Sequence, residues 1–421
     1  MPEATDAVLA RFFRDEHSRL LAVLVHRFGS LDLAEEAAQD AMQAALETWP
    51  REGIPSTPLA WLITVAWRRA LDRVRRDAVF ARRVAALREQ NEFTLPAAED
   101  DALDALSAQD ERLAMLMGCC HPAISSADQI ALMLRFVGGL STAEVAQSLL
   151  LPVPTVQARI TRAKKRIAAN RILLRIPEGE AALRGRLSRV LTAISLIFTE
   201  GYDATAGDAV LRSELTTEAI RLARIVQSSL PEQAEPCGLL GLLLLTEARA
   251  AARVDDDGVP VALEDQDRSR WDLALTQEGL ALVERAAGMP SAGRFTVQGA
   301  IAAVHAEAPS FEATDWRQIV MLYDILLHHG DDSVVRMNRA IALGRRDGPG
   351  AGLRGLLALA GDPEIARHHP FHVSCALFHA EVGDDAAAAE AWDRAASLAQ
   401  NEAQRRFIAR RRAAVATPLP G

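Results

Sequence analysis

The sequence predicts an all-α protein in which two small helical domains, the second a helix-turn-helix, precede a larger α-helical repeat domain. Three observations lead to this fold class. Hydrophobic residues make up 49% of the chain but aromatic residues only 5%, and few runs of alternating β-branched residues suggest strands. Apolar residues instead recur at helical spacing between short breaks that contain Pro or Gly. A chain of 421 residues is expected to form two or three domains.

The stretch from Gly139 to Asn170 carries the helix-turn-helix pattern. Its apolar residues lie at helical spacing on both sides of a Pro-containing break at 151–154: Leu140, Val145, Leu149, Val156, Ile160 and Ile167. Ser141 and Glu144 have the spacing of a capping box, which starts the first helix. Pro near the start of the second helix removes no hydrogen bond that would have formed there. Both helix starts are therefore predicted.

Charge in this part of the chain is one-sided. Between residues 152 and 177 every charged side chain is basic, and two of them are the only lysines of the chain: Arg159, Arg162, Lys164, Lys165, Arg166, Arg171 and Arg175. Residues 178–421 carry 25 basic and 34 acidic side chains. A cationic segment followed by a long acidic one suggests a nucleic-acid-binding module joined to a domain that does not bind nucleic acid. The alternative is an exposed helix whose charges are only solvated.

The first 77 residues are expected to form helices with one buried face. Within residues 6–31 the apolar face would comprise Phe12, Phe13, Leu20, Leu21, Leu24 and Phe28. Asp32 is expected to cap a second helix that ends near Trp49. The exposed face of that helix presents Glu36, Gln39, Asp40 and Gln43. After a Pro-rich loop, Thr57 precedes the start of a third helix at residues 59–77.

The third helix combines aromatic and basic residues: Trp61, Trp67, Arg68, Arg69, Arg73, Arg75 and Arg76. This composition fits a surface for single-stranded DNA, on which bases stack and guanidinium groups hold the backbone. It fits equally well a packed helix with a charged outer face, because Trp is usually buried. The residues alone leave both interpretations open.

Three stretches resemble two conserved regions of one family, the extracytoplasmic-function sigma factors of bacterial RNA polymerase. AEEAAQDAMQAALETW and PLAWLITVAWRRALDRVRR are similar to the second conserved region of that family. SADQIALMLRFVGGLSTAEVAQSLLLPVPTVQARITRAKKRI is similar to the fourth. The strings LIFTEGY and LEDQDRSRWD further resemble the subgroup that carries a tetratricopeptide-like C-terminal extension. The resemblance covers nearly the whole chain.

The resemblance implies a sigma factor that carries promoter recognition to core RNA polymerase. Its polymerase-binding face would comprise Glu36, Gln39, Asp40 and Gln43. The second helix of the helix-turn-helix would enter the major groove at the -35 element, with its N-terminal positions nearest the bases and later ones on phosphates: Thr155, Gln157, Ala158 and Arg159, then Arg162, Lys164, Lys165 and Arg166. Contacts near -10 would come from Trp61, Arg68, Arg69, Arg73, Arg75 and Arg76.

Two positions depart from the family pattern. Leu150 stands where most members have a Gly in the turn, and Leu would be strained at positive φ, so the turn is expected to take another path. Arg68 stands where many members have Asn. Two other classes stay open: a ligand-sensing helix-turn-helix regulator that acts without polymerase, and a helical-repeat scaffold whose basic helix is incidental.

The expected domains are 1–78, similar to sigma region 2; 79–110, an acidic linker; 111–176, similar to sigma region 4; and 177–421, the helical repeats. The linker is expected to be solvated, or, as the family implies, to thread a polymerase channel. The repeats are predicted from eleven amphipathic segments: 185–200, 214–229, 236–252, 268–287, 295–307, 315–328, 333–344, 350–360, 370–382, 385–399 and one from 401. A concave helical surface would bind a protein, peptide or small-molecule regulator, and residues 255–272 are expected to form an acidic surface loop.

Several classes are excluded by what the sequence lacks. No basic-then-apolar leader and no apolar run of about 20 residues are present, so a cytoplasmic protein without membrane spans is expected. Cys119, Cys120 and His121 lack the spacing of a zinc site, and Arg253 occupies the position of the first ligand of a calcium loop. His372, Cys375 and His379 share a helical face that is expected to pack in the core. With no catalytic constellation, we expect a non-enzyme without cofactors.

Overall fold

The computed structural model describes residues 16–85, 108–170, 172, 174–177, 179–204, 211–399 and 401–416. These residues form α-helices and short 3-10 turns, and the β-structure among them is a single isolated bridge between Val254 and Pro260. The all-α prediction is confirmed. The chain divides into two compact units, residues 1–145 with 153–193 and residues 146–152 with 194–421.

Eight helices form the N-terminal part of the described chain. Their bounds are α1 16–28, α2 Leu31–Glu52, α3 Pro58–Ala85, α4 Ala108–Cys119, α5 Ser126–Phe136, α6 Thr142–Ser148, α7 Val153–Ala169 and α8 Glu180–Tyr202. Of the predicted linker, residues 86–107 lie outside the described residues. The third helix is longer than predicted, because it continues to Ala85.

The start of α2 corrects one prediction. Ser30, with an extended backbone, is the N-cap, and its hydroxyl accepts a hydrogen bond from the backbone N–H of Leu33 at 3.3 Å. The prediction that Asp32 caps this helix is wrong, because the helix begins one residue before it. Asp32 instead lies in the first turn, where a carboxylate is favoured by the helix dipole.

Aromatic pairs hold α1, α2 and α3 together. Phe28 stacks on Trp67 with ring centroids 4.8 Å apart, and Trp49 meets Trp61 edge-on at 5.4 Å. Leu20, Leu21 and Leu24 are fully buried, as predicted, whereas Phe12 and Phe13 lie outside the described residues. Such aromatic pairs contribute roughly 0.5–1.5 kcal/mol beyond the area they bury, so both tryptophans of α3 help to fix that helix on the bundle.

Helices α6 and α7 form the predicted helix-turn-helix. The capping box is confirmed, since the N–H of Glu144 donates to Ser141 Oγ at 3.2 Å and the N–H of Ser141 donates to Glu144 Oε2 at 2.6 Å. Helix α6 ends with N–H bonds from Leu150 to the carbonyl of Gln147 and from Leu151 to that of Ala146. This is the Schellman pattern, which needs a left-handed residue at its centre.

Leu150 is that left-handed residue, with φ of 54°. The prediction that the turn takes another path is therefore wrong. The two closing hydrogen bonds satisfy carbonyls at the end of α6 that would otherwise lack partners, and they hold Leu150 in a conformation that costs a non-glycine residue about 1–2 kcal/mol.

We expect Leu150→Gly to be more stable than Leu150→Ala by roughly 1 kcal/mol. Both changes remove the leucine side chain beyond Cβ, so their difference reports the backbone alone. At Leu149, which does not have positive φ, the same pair should show the ordinary preference for Ala by about 0.5–1 kcal/mol. Thermal unfolding of the four variants measures the comparison, and a more stable Ala at position 150 would contradict the expectation.

The C-terminal part continues as helical hairpins. The helices are α9 Ser213–Ser229, α10 Ala234–Glu247, α11 Leu273–Ala287, α12 Arg294–Glu307, α13 Trp316–His328, α14 Ser333–Asp347, α15 Pro349–Leu357, α16 His369–Glu381, α17 Asp385–Leu398 and α18 Glu402–Ala416. Each of the eleven predicted segments overlaps one of the eleven α-helices from α8 to α18. Buried clusters centred on Ile319, Phe378 and Trp392 lie between consecutive helices.

The predicted acidic loop does connect two helices, α10 and α11. Its carboxylates have basic partners within the same unit. Arg410 of α18 binds both Asp255 and Asp257, and Arg345 of α14 donates to Glu264 at 3.0 Å. Several of the loop's negative charges are thus compensated by the helices around it.

Candidate nucleic-acid interface

Helix α7 presents one buried and one exposed face. Val156, Ala163 and Ile167 are buried at helical spacing and attach the helix to its unit. The predicted base-reading positions lie in its first two turns, where Gln157 and Ala158 are exposed and Thr155 and Arg159 are partly exposed. Lys165 and Arg166 are exposed one turn further on.

The start of α5 adds to this surface. Ser125 caps α5 by accepting a hydrogen bond from the N–H of Asp128 at 3.3 Å. Together with Arg162, Lys165 and Arg166, Ser125 lines a shallow pocket with a volume of about 620 Å³. Amide groups at a helix start and basic side chains both attract phosphate. Sequence reasoning missed the α5 contribution, although Ser125 followed by Asp128 was a readable cap signal.

Arg162 is held from the side by an acidic neighbour. Its Nη2 donates to Asp128 Oδ1 at 2.9 Å, and its Nε to Oδ2 at 3.4 Å. The side chain of Asp128 is only 10% exposed, whereas that of Arg162 is 59% exposed. The pair therefore orients the guanidinium and leaves much of it open to solvent.

Lys164 has a different environment from Lys165. Its ammonium donates to Glu35 Oε2 at 2.7 Å and also contacts Asp32, and it lies 5.9 Å from the ring centroid of Phe136. Burial acts to lower the pKa of Lys164, but the hydrogen bonds to the two carboxylates outweigh it and raise the pKa. In this arrangement Lys164 is directed towards α2 and its charge is already compensated.

The predicted polymerase and -10 residues lie on α2 and α3. Gln39 is exposed, Asp40 is partly exposed, and Gln43 donates to Glu47 at 3.1 Å. Glu36 of α2 forms an ion pair with Arg73 of α3, so these two candidates bind each other.

The remaining -10 candidates differ in exposure. Arg68, Arg69 and Arg75 are exposed on α3, whereas Trp61 is partly buried against Trp49. The side chain of Arg76 is not among those that the structure describes.

The cysteine candidates are buried as expected, whereas His121, His372 and His379 are only partly buried. Cys119 and Cys120 are fully buried, and burial raises the pKa of the Cys120 thiol to about 11. Cys375 belongs to a buried apolar cluster, while His372 contacts the carbonyl of Ala366 at 3.0 Å. Within the described ranges, no three His, Cys, Asp or Glu side chains are placed to hold a metal ion.

Comparison with known families matches three parts of the chain. The family described as Sigma-70 region 2 matches residues 12–79, and Sigma-70, region 4 matches residues 114–167. A family of unknown function, DUF6596, matches residues 186–287. None of the helices in the described residues is long and apolar enough to cross a membrane.

Relatives match both the whole chain and its N-terminal part. The chain is 38% identical over 391 residues to the uncharacterized protein R00370 of Rhizobium meliloti, which spans 92% of this chain and 91% of that protein. It is 28% identical over 155 residues to the ECF RNA polymerase sigma factor SigK of Mycobacterium ulcerans, covering 36% of this chain and 79% of the relative. SigK of Mycobacterium bovis BCG is 28% identical over 158 residues, 37% of this chain and 80% of the relative. No solved structure matches.

Proposed function

Because the chain belongs to the extracytoplasmic-function sigma factors of the sigma-70 family and carries a C-terminal extension, we propose specific roles for its residues in transcription initiation. The family is not enzymatic, and its partners are core RNA polymerase and promoter DNA. The observation that carries the assignment is the occurrence, in the right order, of a region 2 match and a region 4 match on one chain. An ordinary helix-turn-helix regulator would need only the second.

We assign -35 recognition to α7. Its N-terminal residues Thr155, Gln157, Ala158 and Arg159 would contact base edges, since the start of a recognition helix lies deepest in the major groove. Lys165 and Arg166, with Arg162, would hold phosphates beside the start of α5. Lys164 would join them only by exchanging Glu35 and Asp32 for phosphate.

We assign the melted strand near -10 to α3 and the polymerase contact to α2. The exposed Arg68, Arg69 and Arg75, with Arg73 and Arg76, would hold the backbone of the strand. Trp61 would stack on a base of that strand. Its packing on Trp49 supports a second role, in positioning α3. The α2 face that binds polymerase would comprise Glu36, Gln39, Asp40 and Gln43.

Substitutions of Arg159 and Lys165 should weaken DNA binding in different ways. Arg159→Ala is expected to reduce the binding free energy for the preferred promoter by about 1–3 kcal/mol and to relax specificity at one base pair. Lys165→Ala should weaken binding to all sequences alike and reduce the slope of log affinity against log salt by about one. Holoenzyme binding to a panel of promoter variants at several salt concentrations separates the two, and equal sequence-independent losses would contradict the assignment.

Runoff transcription with core polymerase tests the function itself. The purified chain should bind core polymerase and support transcription from a promoter chosen by in vitro selection. Binding to duplex DNA without any affinity for core polymerase would instead favour the ligand-sensing regulator.

We further propose that the C-terminal helices regulate this activity by binding a protein or small molecule. A truncation should keep residues up to 193, because Arg186 donates to the carbonyl of Met117 at 2.7 Å within the first unit. Unchanged promoter activity and polymerase affinity in the truncated chain, with its helical content retained, would remove the proposal.

A further inference from the structure

Trp271, at the end of the loop between α10 and α11, has two arginines close to its ring. The Cζ atom of Arg268 is 4.5 Å from its ring centroid, and that of Arg249 is 5.9 Å away. Both arginines are partly buried. Two cations on one aromatic ring attract the ring but repel each other.

The charges of these two arginines are not matched by ion pairs within the described residues. Arg268 Nη1 donates to the carbonyls of His305 and Ala308, at 2.7 and 2.6 Å, and both acceptors are neutral. The carboxylate of Glu312 acts on Arg268 only at a distance, and its side chain is exposed. Elsewhere in this unit many arginines do have carboxylate partners: Arg224, Arg253, Arg339, Arg345, Arg410 and Arg411.

Among the described residues, four buried nitrogen atoms at this place have no hydrogen-bond partner. They are Arg249 Nε, Arg268 Nη2, Trp271 Nε1 and His305 Nδ1. Burial, then the charges of Arg249 and Arg268, lowers the pKa of His305 to about 4, so this imidazole is neutral at pH 7 and adds no third charge. Three of the four atoms can only donate hydrogen bonds, and His305 can donate as its Nδ1–H tautomer. The cluster therefore lacks an acceptor.

We propose that Arg249, Arg268 and Trp271, with the neighbouring His305, form a binding site for a small oxyanion, the carboxylate or phosphate group of a soluble ligand. Planar guanidinium groups match both kinds of oxyanion, and a bound anion would compensate two like charges at once. The indole N–H supplies a further donor. The ligand would displace the distant influence of Glu312 and connect the loop to α10 and α12. This site does not depend on the sigma-factor assignment.

The test uses the full chain without polymerase. Sodium phosphate and sodium succinate are titrated separately, with sodium chloride holding the ionic strength constant, while thermal unfolding and tryptophan fluorescence are followed. We expect a saturable rise in Tm with at least one probe, and the comparison between probes identifies the source of the oxyanion. Arg249→Met keeps an unbranched apolar side chain. It should lower the affinity for that probe roughly tenfold or more, because a charge-assisted hydrogen bond is lost.

Arg270→Met is the matched control, since Arg270 is exposed in the same loop, and it should leave the response unchanged. Trp271→Phe keeps an aromatic ring at this position but removes the indole N–H donor, and it should lower affinity several-fold even if Arg249→Met does not fold. Without anion, Arg249→Met should be at least as stable as the native chain, because it removes an uncompensated charge. No saturable response to either probe, or equal responses in the native chain, Arg249→Met and Trp271→Phe, would overturn the proposal.

Discussion

Glu235→Ala should lower the free energy of unfolding of the C-terminal helices by roughly 4 kcal/mol, because one carboxylate caps a neighbouring helix. Glu235, near the start of α10, accepts hydrogen bonds at 3.0 Å from the backbone N–H groups of Gly293, Phe295 and Thr296. The hydroxyl of Thr296 donates to it at 2.9 Å. Gly293 is the N-cap of α12 and has no side chain that could replace this acceptor.

Chemical denaturation of the full chain measures this loss, and hydrogen exchange locates it. Amide exchange at residues 293–296 should accelerate in Glu235→Ala more than at the start of α13, which has its own cap in Asp315. Glu235→Gln, which retains one acceptor oxygen without charge, should lose less. Glu232→Ala, an exposed position in the preceding turn, should stay within about 0.5 kcal/mol of the native chain. Equal losses at 232 and 235 would show that the cap contributes nothing.

Gly238→Ala should lower the free energy of unfolding by roughly 3 kcal/mol, because α10 and α12 approach each other so closely that there is no room for a methyl group. A Cβ at Gly238 would lie 2.6 Å from the Cα atom and 2.7 Å from the backbone nitrogen of Thr296. Backbone atoms cannot rotate away as a flexible side chain can, so the two helices would have to separate. The capping contact of Glu235, one turn earlier on α10, would be strained by the same movement.

Gly350→Ala provides the contrast within the same unit. The nearest atom to its added Cβ is Arg354 Nη1, at 3.7 Å, which is ordinary contact. Alanine in a helix is favoured over glycine by about 0.5–1 kcal/mol, so this variant should be slightly more stable than the native chain. If both glycine variants change stability in the same direction and by the same amount, close packing at Gly238 is not the cause.

Local signals in the sequence predicted local structure well. The capping box of Ser141 and Glu144 is present with both of its hydrogen bonds, and Pro58 is the first residue of α3. The predicted cap of α2 was Asp32, but the extended backbone of Ser30 and the hydrogen bond that it accepts from the N–H of Leu33 make Ser30 the N-cap. At Leu150 the hydrogen bonds that close α6 outweigh the strain of the residue.

Contacts between residues far apart in the chain could not be predicted in this way. Lys164 was expected to face DNA because of its charge, but Glu35, which it binds, is 129 residues away. Glu235 caps a helix whose N-cap, Gly293, lies 58 residues later in the chain. The donor cluster around Trp271 is likewise assembled from three separate segments. Periodicity and motifs depend on residues that are close together in the sequence. These contacts join residues that come close only when the helices pack.

The two lysines of the chain are adjacent and lie on α7, which has a practical consequence for labelling. Among side chains, amine-directed reagents will modify only the helix to which we assign -35 recognition. Of the two amines, the exposed Lys165 should react first, because Lys164 is held by Glu35 and Asp32. Coupling the protein to a sensor surface through lysine should therefore block the -35 contact proposed for α7, whereas attachment elsewhere would leave that helix accessible.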